Sequence, residues 1–103
     1  MLEDIKKIQG INHNEFDNII TTQINAAKLD LISIGIVDTK VNTPDDLIKS
    51  IIYNYVLSFL DVNRSEMYMN AYILQKDYIR RLEEYTTQTI EDGILGDNIP
   101  INE

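Results

Sequence analysis

Apolar positions fall at helical spacing in four stretches of the chain, and glycines or capping residues separate them. Leu2, Ile5 and Ile8 recur every three residues and Gly10 follows. That pattern predicts two helical turns closed by a glycine, too short to be stable unless docked on the rest. Phe16, Ile20, Ile24, Ala27, Leu31 and Ile34 then share one narrow stripe, with Asp17, Thr21, Asn25 and Lys28 on other faces. They predict an amphipathic helix over residues 12–34. Asn12 and Glu15 have the spacing of a reciprocal cap at its start, and Gly35 supplies the left-handed residue that ends it.

Residues 36–42 read as a connector whose β-branched members suit a short extended piece. Thr43 is placed to cap the next helix, with Pro44 at its first position and Asp45 and Asp46 at the positive end of its dipole. This helix is apolar almost all round. Ile48, Ile51, Ile52, Tyr55 and Phe59 form one face, and Tyr53, Leu57 and Leu60 project toward the other. A helix of that kind is buried on both sides, so it is the predicted centre of the fold. After a turn over residues 61–64 the chain restarts as a helix at Ser65-Glu66 with two apolar stripes side by side. Tyr68, Tyr72, Ile79 and Leu82 form one, and Met67, Leu74, Tyr78 and Tyr85 the other. One stripe suffices to cover a small core. The second is a generous core edge or a contact between subunits, for which Tyr and Met are well suited.

From Thr86 the helical pattern fails. Gly93, Gly96 and Pro100 break helices, and the segment carries four acidic residues and no basic one. Ile90, Ile94, Leu95, Ile99 and Ile101 are unusual in a purely disordered tail, so 86–103 reads either as a flexible arm that orders against a partner or as a frayed terminus with no role, alongside a helical domain over 1–85. The predicted class is all-α: a short N-terminal helix and a three-helix bundle with an extended C-terminal arm.

Composition changes this picture only at the edges. Hydrophobic content of 44% and charged content of 25% are globular values. With no cysteine, disulfides and thiolate metal sites are excluded. The start has no long apolar run and no segment has a membrane-spanning length, so no membrane role and a cytoplasmic setting are expected. Nine basic against 17 acidic residues give a net charge of −8, which repels phosphate backbones and argues against ordinary nucleic-acid binding. The one histidine, His13, stands in the first turn of a predicted helix and reads as a solvated side chain. No nucleophile setting and no phosphate-cradling loop is present. Asp45-Asp46 needs no metal, since dipole compensation explains it. Lys76, Arg80 and Arg81 have Asp77, Glu83 and Glu84 within a turn to pair with, and the helix after Thr43 offers only Lys49 and Asn54 where a DNA-reading helix needs several polar side chains. No catalytic residue, metal site or cofactor is expected.

Taken as a series, the segments resemble the head-tail connector proteins of tailed bacteriophages. The residues that carry the resemblance begin with the Leu2-to-Gln9 helix and Gly10. The helix over 12–34 follows, with Glu15-Phe16-Asp17 near its start and Ala26-Ala27 and Asp30-Leu31 toward its end. Next is the helix over 45–60, where Leu47-Ile48 leads into Ile51-Ile52-Tyr53-Asn54-Tyr55-Val56, and then the Tyr-rich last helix. The resemblance covers residues 1–85.

The resemblance implies a structural virion protein with no substrate. The subunit would form a ring, dodecameric to match the phage portal beneath which it sits at the head-tail junction, after assembly in the host cytoplasm. Such a ring extends the DNA channel and offers a docking face to the next head-completion or tail protein. DNA would pass without specific binding, since an acidic wall makes no phosphate contacts. Each subunit in a ring uses a different surface toward each neighbour. Tyr53, Leu57, Tyr78 and Tyr85 are the candidates for ring contacts, and Ile94, Leu95 and Ile99 for an arm reaching the portal or a neighbour. A different reading of the same size, charge and apolar excess is a small acidic regulatory protein that inhibits a single host or phage protein.

Overall fold

A computed structural model describes residues 1–87, which fold into α1 (Leu2–Gln9), α2 (Asp17–Ser33), α3 (Asp38–Asn42), α4 (Asp46–Leu60), α5 (Ser65–Ile79) and α6 (Glu83–Thr86). There is no strand among the described residues, so the all-α class is correct. A single 3-10 turn, Val62–Arg64, joins α4 to α5.

The centre is α4, as its all-round apolar character predicts; α1, α2 and α5 all pack against it. Ile48, Ile51, Ile52, Val56 and Leu57 are buried on it, and Ile20, Ile24, Ala27 and Leu31 of α2 and Tyr72 and Ile79 of α5 close over them. Phe59, expected on the buried face, is exposed, its ring tilted against that of Tyr55 with 5.1 Å between centroids.

Local signals held where no distant group competed. Gly10 closes α1 at φ 70°, and Gly35 follows the end of α2 at φ 104°. The start of α2 differs from expectation. Asn12 and Glu15 form no cap; the helix begins at Asp17 behind Phe16, which is exposed. A tertiary contact takes precedence over the local cap. The buried Lys6 ammonium reaches Asn14 Oδ1 and Asp17 Oδ1, each at 2.9 Å, and ties the entry of α2 to α1. The extended piece expected over 36–42 is instead the helical turn α3, which buries Val41. The cap of α4 is Asp45, not Thr43: its carboxylate accepts the Ile48 N–H at 3.0 Å.

The last helix is shorter than predicted. It stops at Ile79, and Leu82 is extended before α6 turns back. The turn-back brings Tyr85 over the start of α4, where its hydroxyl donates to Asp45 at 2.5 Å and its carbonyl accepts the Val37 N–H at 2.9 Å. A helix running straight to residue 85 would forgo both bonds and leave Tyr85 in solvent.

These contacts fix helix direction. Asp4 accepts from Tyr53 and Gln9 donates to Asp61, so α1 runs alongside α4 in the same sense. Lys6 holds the start of α2 there, and the chain after α2 reaches Tyr85 beside Asp45. Thus α2 runs opposite to α4. So does α5, whose Gln75 bonds Asn54 and Ser50 while Ser65 bonds Ser58. Helices α2 and α5 therefore run in the same direction, linked where Asp30 accepts from Tyr72 and Lys76.

These carboxylate–tyrosine latches make stability depend on pH at both extremes. Burial raises the Asp30 carboxyl, but the Lys76 and Tyr72 hydrogen bonds and the Lys76 charge outweigh it and hold it below 3.8. The Ile48 N–H and the Tyr85 hydroxyl do the same for Asp45. Burial together with Asp30 raises Tyr72, and the bond to Asp45 pushes Tyr85 up to about 12. A depressed carboxyl stabilises above its unfolded value and loses that contribution as pH falls through the folded one. A raised phenol stabilises below its unfolded value of 10.0 and loses it as pH rises toward about 12. Thermal melts should be flat from about pH 5 to 9 and fall on either side, below about pH 4 and above about pH 10.

Candidate functional site

Two helix faces turn away from α4 with apolar side chains in solvent. On α5, Met67, Ala71, Leu74 and Tyr78 lie 4, 3 and 4 residues apart, the spacing of a helix-packing seam. Leu74 is 72% exposed and Tyr78 55%. The stripe containing Tyr72 and Ile79 is the buried one, so the second stripe read from the sequence is left open along α5. Tyr85 drops out of it because α5 ends first.

The other face is on α2. Its exposed positions are Asn18, Ile19, Thr21, Thr22, Asn25, Leu29, Ile32 and Ser33, and none carries a charge. In a chain where 25% of residues are charged, an exposed face of four turns would ordinarily hold several. Along it Ile19, Thr22, Ala26, Leu29 and Ser33 repeat at 3, 4, 3 and 4 residues, and Leu29 is 67% exposed. This face was missed in the sequence because its apolar members are interleaved with Thr, Asn and Ser, so the stripe is weak. The absence of charge was the readable signal.

The four residues predicted to make ring contacts are not brought together. Tyr78 is open on α5. Leu57 and Tyr85 are only 4% and 6% exposed, held inside the subunit. Tyr53 is half-buried, its hydroxyl donating to Asp4 at 2.7 Å, and burial with Asp4 beside it raises that phenol to about 12. It lines an open cleft of about 530 Å³ between α1, α4 and α5, together with Ile8, Lys49, Leu57 and Tyr68. The arm residues Ile94, Leu95 and Ile99 lie outside the described residues.

The polar groups weighed for chemistry have structural partners. His13 Nδ1 accepts the Glu15 N–H at 3.3 Å, and its ring meets Phe16 edge-on. Asp77 pairs with Arg80 and Arg81, while Lys76 crosses to Asp30 at 2.8 Å. Among the described residues no group of three His, Asp or Glu side chains is placed to hold a metal, and no helix is long and apolar enough to cross a membrane. What the arrangement offers is surface: two faces suited to helix-on-helix packing.

In comparison with known proteins, a family model described as Phage connector protein matches residues 1–89. No curated protein and no solved structure matches the chain.

Proposed function

The chain belongs to the phage connector protein family, and from that premise we propose that it is a head-tail connector subunit that closes into a ring beneath the portal. The family's role is structural, and the subunit's work is to be a conduit and an adaptor. The ring, twelve copies to match the portal, extends the DNA channel and presents a docking face to the next head-completion or tail protein. Assembly takes place in the host cytoplasm and the product stays in the virion. A net charge of −8 per subunit suits a conduit, because DNA gains no counterion release from an acidic wall and slides past it.

The observation that carries this reading is the pair of open faces on α2 and α5. A closed ring is built from heterologous contacts, in which each subunit shows one surface to one neighbour and a different surface to the other. A subunit with a single open apolar face would suit a one-to-one inhibitor equally well. The family match lends nothing to that alternative. The C-terminal Ile94, Leu95 and Ile99 remain our candidates for an arm that reaches the portal or a neighbour.

Sedimentation velocity of the purified protein with portal rings of the same phage tests the reading. The expected result is a portal boundary that shifts to higher mass by a saturable increment of about twelve subunits. A portal boundary unmoved by excess protein would overturn it.

A further inference from the structure

We propose that the ring contact is formed by the uncharged outward face of α2 in one subunit and the Ala71–Leu74–Tyr78 stripe of α5 in the next. The inference rests on the ring reading and names the surfaces that make it.

Charge selects the occupant. Two copies of a subunit carrying −8 repel each other, and the approach is least costly where one side brings no charge. The face of α2 is such a surface over its whole exposed length. A basic partner would be drawn elsewhere, to the acidic remainder of the subunit. A second copy is the partner for which a neutral face is an advantage.

Direction and spacing select the mate. Within one subunit α2 and α5 run the same way, each with its outward face turned from α4, so the two faces cannot meet inside a chain. A rotation between ring neighbours of about 30° for twelve subunits changes the relative direction of two helices by no more than that angle. Hence α2 of one copy and α5 of the next still run the same way. Both faces carry the alternation of three and four residues that keeps a seam facing its partner. In the parallel register that sets Ala71 opposite Ile19, Leu74 falls opposite Thr22 and Tyr78 opposite Ala26. A small residue meets a large one in three successive layers, which permits axes about 8–10 Å apart.

Cross-linking tests the assignment directly, because the chain has no cysteine of its own. Asn18 and Asn70 are exposed, flank the two stripes and fall in one layer of the proposed register. The double variant Asn18→Cys/Asn70→Cys is treated with a short bismaleimide on assembled rings. The expected result is a ladder of covalent dimers, trimers and higher multiples, at least tenfold stronger than from either single-cysteine variant. Light scattering of the same samples separates the two claims. Rings that give no ladder would overturn the α2–α5 contact and leave the ring reading standing. Protein that neither assembles, alone or on portals, nor cross-links would overturn both. A ladder from open chains without closed rings would uphold the contact and refute closure.

Discussion

Leu74→Asp is expected to abolish assembly while leaving the subunit folded. Leu74 is 72% exposed on α5 and supports nothing in its own chain, so the change should alter subunit stability by no more than about 0.5 kcal/mol. At the proposed contact the same carboxylate sits in the central layer, opposite the α2 face of the neighbour, which offers it no cation. Burying a charge without a partner costs several kcal/mol, enough to lower the affinity of each contact by at least a hundredfold at about 1.4 kcal/mol per decade. In a closed ring every contact carries the lesion. Circular dichroism and thermal melts should match the parent, while light scattering and portal binding show only monomer. Rings forming normally from Leu74→Asp would place the α5 stripe in solvent.

The opposite separation is expected at Ile52. It is fully buried on α4 in the shared core of α1, α2, α4 and α5. Ile52→Ala removes three carbons where neighbouring helices are held apart by other side chains, so a cavity persists and the cost is about 2–5 kcal/mol. Against a total stability of about 5–15 kcal/mol for a domain of this kind, that is a large fraction. Urea unfolding should show the midpoint fall at unchanged slope. Phe59→Ala, two turns further along the same face but exposed, should move the midpoint little. Equal effects from the two would mean that α4 is not buried as described.

What the sequence disclosed follows how local each feature is. Gly10 and Gly35 end helices because a left-handed residue needs nothing from elsewhere, and the stripe of Ile20, Ile24, Ala27 and Leu31 faces the core because its spacing leaves no other choice. The caps of α2 and α4 were misplaced for the converse reason. Asn12 and Glu15 satisfy a local rule, but Lys6 pulls Asn14 and Asp17 into a contact with α1. Asp45 becomes a cap that also holds Tyr85, forty residues away. The same bond ends α5 early and takes Tyr85 out of the stripe in which periodicity put it. Two stripes on the last helix were legible; which one is buried was settled by α4, and Leu57 went inside with it. The open face of α2 was nearly silent, since Thr, Asn and Ser among Ile and Leu look like an ordinary solvated surface until one asks why no charge is there.

The central claim is that this chain rings the portal, and negative-stain electron microscopy of the protein mixed with portal rings from its own phage tests it most directly. The account predicts an added annular layer on one end of every saturated portal, coaxial with the channel. Portals that look the same with and without a large excess of the protein would contradict it.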